Sequence, residues 1–136
     1  MSATKVFFDT NVLLYLLSGD AAKADRAEAL VIVGGVISVQ VLNEFASVAS
    51  RKLGMSWAEI REVLDTIRAV CRVEPITLET HDRGFALSER YGFPIYDSMI
   101  LASALLAGCD RVFTEDLQDG QDIDGRLTVR NPFTAS

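Results

Sequence analysis

Histidine, cysteine and basic side chains are scarce in this chain, and each shortage removes a class of function. With His81 as its one histidine and Cys71 and Cys109 as its two cysteines, far apart in sequence, the chain cannot assemble a zinc set of the usual spacing. The same two cysteines offer no disulfide framework and read as small buried hydrophobes in a reducing cytoplasm. Thirteen basic residues against nineteen acidic ones leave a net charge of −6, which excludes a surface that holds nucleic acid by charge alone. An anionic substrate would need bound cations or a local basic patch. The start, MSATKVFFDT, lacks the basic region, apolar stretch and small-residue cleavage site of a leader sequence, and no apolar run is long enough to span a membrane. With three prolines and no low-complexity or repeated segment, the chain has no linker, and residues 1–136 are expected to form one domain. A soluble cytoplasmic protein is the expectation.

What is present is a hydrophobic content of 49% in 136 residues, enough for a core of ordinary size. Lys5 to Phe8 is a short strand pattern, and the leucine-rich stretch after Asn11 turns to helical density as far as Leu17. Ala21 to Val33 reads as a helix that stops at Gly34-Gly35, and Val36 to Ser38 as a very short strand. Ser38 can cap a helix from Val39 to Leu53, and Ser56-Trp57-Ala58-Glu59 has capping-box form ahead of a helix to about Val70. Cys71 to Ile76 predicts a strand ended by Pro75; Thr77 opens a helix to about Tyr91, which Gly92-Phe93-Pro94 breaks. A helix rich in small residues then runs to Ala107, followed by a strand at Arg111 to Thr114, an acidic loop and a last strand at Leu127 to Arg130. Short strands alternating with longer helices predict an α/β fold, a three-layer α/β/α sandwich on a mainly parallel sheet. Phe7, Phe8, Phe45 and Phe85 are expected in its core and Trp57 as a packing anchor, with His81 near a helix start at the surface.

Asp9, Glu44, Asp97 and Asp116 fall where such a fold puts functional groups. Asp9 and Asp116 sit just past strand ends, Asp97 opens a helix, and Glu44 rides beside an apolar helical stripe. Each has an ordinary explanation as well. Asp9 and Asp97 could be helix caps, and Asp116 one more solvated acid in a loop that also holds Glu115, Asp119, Asp122 and Asp124. Glu44 has Gln40, Val41, Ser47 and Val48 as helical neighbours, so a local ion pair is absent and only a distant arginine such as Arg51, Arg83 or Arg111 could meet it. Together, four converging acids would repel one another unless a cation sat among them. Hard oxygen ligands suit Mg²⁺ or Mn²⁺, ions that activate water and steady a departing oxygen at phosphorus.

The motifs Val6-Phe7-Phe8-Asp9-Thr10-Asn11-Val12-Leu13, Asn43-Glu44-Phe45, Tyr96-Asp97-Ser98-Met99-Ile100 and Phe113-Thr114-Glu115-Asp116-Leu117-Gln118-Asp119-Gly120 resemble, in order and spacing, those of PIN-domain ribonucleases, most closely the VapC toxins of bacterial toxin-antitoxin pairs. The likeness runs from the first strand to Val129-Arg130-Asn131-Pro132-Phe133. It implies a metal-dependent endoribonuclease in which Asp9, Glu44, Asp97 and Asp116 hold one or two Mg²⁺ or Mn²⁺ ions. It also implies that Thr114 and Asn11 support the site, while Asp119 either approaches the metal or lines the rim. A homodimer and a VapB-like antitoxin partner follow from the resemblance alone. Arg51, Lys52 and Arg83 are candidate contacts to RNA phosphates, or ordinary solvated side chains.

Two rivals share the aspartate after the first strand. An aspartyl-phosphate phosphohydrolase of the haloacid dehalogenase type needs a second aspartate two positions on, where this chain has Asn11, and a late lysine, whereas none follows Lys52. A phospho-accepting receiver domain needs the same lysine. A non-catalytic PIN-like module that binds RNA or a partner is a third reading, and an intact set of four acids argues against it.

Overall fold

The computed structural model describes residues 5–134. Residues 1–4, on which part of the expectation about a leader rests, lie outside that span, as do 135–136. A six-stranded sheet is built from β1 (Val6–Phe8), β2 (Gly35–Ser38), β3 (Cys71–Glu74), β4 (Arg111–Phe113), β5 (Asp122–Ile123) and β6 (Leu127–Arg130). Their spatial order is β3-β2-β1-β4-β6-β5, parallel throughout except for β5 against β6. Among the described residues six α-helices flank it: α1 (Thr10–Leu14), α2 (Ala21–Val31), α3 (Val39–Arg51), α4 (Trp57–Val70), α5 (Leu78–Tyr91) and α6 (Ile95–Leu106). Among the described residues no helix is long and apolar enough to cross a membrane.

β1 lies inside the sheet, between β2 and β4, and so is covered on both faces; its unbroken Val6-Phe7-Phe8 run suits that place better than an alternating pattern would. Phe7 and Phe8 are fully buried, and the Phe8 ring stacks on Phe113 of the neighbouring strand at 5.9 Å. From β1 the chain winds to β2 and β3 on one side, then returns to lay β4 on the other. The carboxyl ends of β1 and β4 therefore flank the point where the winding reverses, the place where parallel sheets open a crevice.

Capping fixes the helices close to their expected starts. Ser38 accepts from the Val41 N–H, and Ser56 with Glu59, like Thr77 with Thr80, forms a reciprocal box. α5 and α6 pack closely because Gly84 has no side chain: a Cβ there would stand 2.7 Å from Met99 Sδ. The Ser88 hydroxyl donates to Ser98 at 2.8 Å across the same seam, which settles the first turn of α6 and with it Asp97.

Several boundaries differ from the sequence reading. α1 begins at Thr10, with Asp9 as its cap, and ends in a single 3-10 turn at Tyr15–Leu17. β3 stops at Glu74, as the following proline requires, and α2 stops at Val31. The acidic loop hides β5, whose two residues pair with β6 and carry no periodicity to read. Two aromatic expectations fail: Trp57 is 67% exposed and Phe85 53% exposed, whereas Phe45 is fully buried. Trp57, the first residue of α4, stands at the edge of an open cavity shared with Leu42 and Ala46 of α3 and so is only partly covered. Both cysteines are free and buried, as expected.

Candidate active site

Asp9 leaves β1 with its backbone still held by the sheet, its N–H donating to the Phe113 carbonyl at 3.0 Å. Its carboxylate is buried and turned inward. Oδ1 accepts from the Thr10 N–H at 2.7 Å, and Oδ2 accepts from the Thr114 hydroxyl at 2.8 Å. The cap reading of Asp9 is thus correct but incomplete, since a cap has no need of a buried threonine from another strand. Thr114 is fully buried just past β4, and its oxygen accepts from Asn11 Nδ2 at 3.2 Å and from the Asp116 N–H at 3.1 Å. Asn11 Oδ1 in turn accepts from the Glu115 N–H at 3.4 Å, so two strand ends are joined by one hydrogen-bond network.

Glu44 comes from α3. Its Oε1 accepts from the Thr10 hydroxyl at 3.1 Å and from Gln40 Nε2 at 3.4 Å, and Gln40 also donates to the Tyr96 carbonyl at 3.1 Å. No arginine meets it: among the described residues the ion pairs are Arg72–Glu74 and Arg90–Asp124. Asp97 lies in the first turn of α6, but Pro94 occupies the cap position, so Asp97 is no cap. Asp116 reaches in from the loop after β4. The four acids line one cavity of about 180 Å³ with Thr10, Asn11 and Gln40 at its polar edge and Leu14, Val48 and Ile100 as its apolar walls.

Electrostatics follow from that enclosure. Burial pushes Asp9 up from 3.8 to about 6; hydrogen bonds from Thr114 and Thr10 oppose the rise, and the charges of Asp116 and Glu44 add to it. Asp97 is raised by burial and then by the same two neighbours. A buried anion facing like charges with no cation opposite is an arrangement that a positive ion would relieve. Among the described residues no three His, Cys, Asp or Glu side chains already form a ligand cage. An all-oxygen donor set still fits Mg²⁺ or Mn²⁺, because Mg²⁺ keeps several waters and needs only one or two carboxylates directly. The donor chemistry and the strained charge therefore fit a divalent ion.

Asp119 stands outside this cavity, where its Oδ1 accepts from the Asn131 N–H at 2.9 Å. Arg51, Lys52 and Arg83 do not line it either, and Arg51 Nε donates to the Ser47 hydroxyl at 3.1 Å. Thr10 and Gln40 were not singled out from sequence. The signal lay in their spacing: Thr10 follows the first aspartate, and Gln40 stands one helical turn before Glu44.

Thr114→Val tests the network. It removes the proton that Asp9 accepts and leaves two donors unpaired, so Asp9 should titrate above about 6, and the fold should lose about 1–3 kcal/mol. Carboxyl NMR titration and urea unfolding measure the two effects.

A family model described as PIN domain matches residues 6–119. Among solved structures, the chain is similar to a toxin-antitoxin complex from Klebsiella pneumoniae, with 24% identity, 96% of this chain and 100% of that chain covered, and a TM-score of 0.73. It is also similar to Mycobacterium tuberculosis VapC20, described as a sarcin-ricin loop cleaving toxin, at 20% identity over 82% of this chain and 90% of that one, TM-score 0.66. DNA-bound VapBC from Salmonella typhimurium matches at 22% identity over 93% and 98%, TM-score 0.67. At these identities the likeness shows the fold. No curated protein matches the chain.

Proposed function

Because the chain belongs to the PIN-domain family, we propose that its acidic cavity cleaves phosphodiester bonds in RNA with Mg²⁺ or Mn²⁺, as the toxin of a VapC-type toxin-antitoxin pair. The observation that carries this reading is Asp9, a buried carboxylate with no ion-pair partner among the described residues, held by Thr114 and Thr10 in a cavity shared with Glu44, Asp97 and Asp116. Those four acids would hold the ion. When bound, it supplies an acidified water and offsets the charge that grows on the phosphate oxygens.

The rest is the work of the chain's own residues. Thr114 and Asn11 keep the Asp9 carboxylate in one orientation, and Thr10 and Gln40 do the same for Glu44. Fixed ligands of this kind lose little freedom when a substrate arrives. Asp119, through Asn131, steadies the loop that carries Asp116. Arg51, Lys52 and Arg83 would contact phosphates beyond the cavity, where the acidic interior does not repel them.

VapC20 is described as cutting the sarcin-ricin loop, which supports RNA as the substrate. Neighbours that are toxin-antitoxin complexes support an antitoxin partner for this chain. Exposed Leu78 and Phe85, two turns apart on one face of α5, support pairing of two copies. Within each copy the chain would act as a single domain.

Incubation of the purified protein with total cellular RNA, followed by mapping of new ends, tests the reading. Defined ends are expected with Mg²⁺ or Mn²⁺ and none with EDTA. RNA left intact under both ions would overturn it.

A further inference from the structure

Next to the acidic cavity lies another of about 280 Å³, and Asn11, Leu14 and Val48 line both. Leu17 and Leu53 make its apolar far side, and Tyr15 and Glu115 its polar edge. Leu53 is 50% exposed, a large apolar side chain left open at the mouth. We propose that this second cavity receives the nucleobase adjoining the phosphodiester at the acidic site, and that Glu115 selects guanine there. The inference rests on the ribonuclease reading and adds the substrate preference of that site.

Shape and charge point to a base rather than a phosphate. A splayed base of single-stranded RNA presents two apolar faces and a hydrogen-bonding rim, which matches leucine walls with a polar edge. A carboxylate at that rim repels a phosphate and accepts hydrogen bonds from a base edge. Guanine is the base that offers two adjacent N–H donors, N1–H and the exocyclic amine, in register with two carboxylate oxygens.

Glu115 is also held in place for such a task. The Tyr15 hydroxyl donates to its carboxylate, at 2.9 Å from one oxygen and 3.1 Å from the other. The Tyr15 ring is fixed from outside by Phe133, with ring centroids 4.3 Å apart, and by Lys23 Nζ at 5.0 Å. The Glu115 backbone N–H reaches Asn11, whose amide holds Thr114 and through it Asp9. The edge that would read the base and the carboxylate beside the scissile bond thus belong to one network.

Two measurements test this. In the metal-free protein, guanosine monophosphate should shift the amide NMR signals of Asn11, Glu115 and Ser18, which also lines the cavity, and uridine monophosphate should shift them much less. With Mg²⁺, short RNAs randomised beside the cut should show a guanine preference, and Glu115→Gln should lower that preference about tenfold, mainly through KM. Leu53→Asp, at the open mouth, should weaken the nucleotide shifts as well. Equal shifts from both nucleotides, or an unchanged base profile in Glu115→Gln, would overturn the proposal. Guanosine-specific shifts in a protein that cuts no RNA would uphold the pocket and remove the ribonuclease reading. Cleavage without any flanking preference would do the reverse.

Discussion

Asp9→Asn abolishes RNA cleavage in Mg²⁺ or Mn²⁺, lowering the rate on the order of a hundredfold or more, and leaves the protein folded. The amide keeps the size of the carboxylate but carries no charge for an ion. Two opposing effects act on stability. Removing a buried anion relieves the desolvation that raises Asp9 and its repulsion by Asp116 and Glu44. Against that, the new amide nitrogen meets Thr114, whose oxygen already accepts from Asn11 and from the Asp116 N–H. The unfolding free energy near neutral pH should therefore stay within about 1 kcal/mol of the parent. Urea unfolding beside a cleavage assay separates the outcomes: a stable variant that still cuts RNA at the parent rate shows that the acidic cavity is not where the chemistry happens.

Metal removal should change how stability depends on pH. Asp9 ionises at about 6 in the folded chain against an ordinary value of 3.8, so the folded state holds its proton more tightly than the unfolded one. Its contribution is fully present below 3.8 and is lost as pH rises through about 6, a decline of about 3 kcal/mol in the metal-free protein. Asp97 is raised in the same direction and steepens the loss. A divalent ion favours the ionised carboxylates and should flatten this slope. At an ion concentration about a hundred times Kd it should raise Tm near neutral pH by roughly 10 °C, with little effect near pH 4. Asp97→Asn should shrink that metal-induced rise. Thermal melts with Mn²⁺ and with EDTA that superimpose at both pH values would sink the ion site.

How far the sequence could be read depended on the range of the interaction in question. β1 with Asp9 at its end, the capped starts of α3, α4 and α5, and the break at Pro94 rest on contacts within a turn or two of chain, and these were legible. β5 was not, because two residues that pair only through β6 leave no local pattern. Trp57 and Phe85 misled for a similar reason: an aromatic ring is apolar wherever it stands, and only the neighbouring elements decide whether it is covered.

Readable from residue order were the class of fold, its mainly parallel sheet and four acids, of which Glu44, Asp97 and Asp116 have no Lys or Arg three or four positions away. That they share a cavity, that Thr114 answers Asp9 and Thr10 answers Glu44, and that an apolar pocket opens beside them emerged only from the packed chain. The physical reason is the reversal of winding at β1. It brings the ends of β1 and β4 together through space, and no spacing along the chain records that approach.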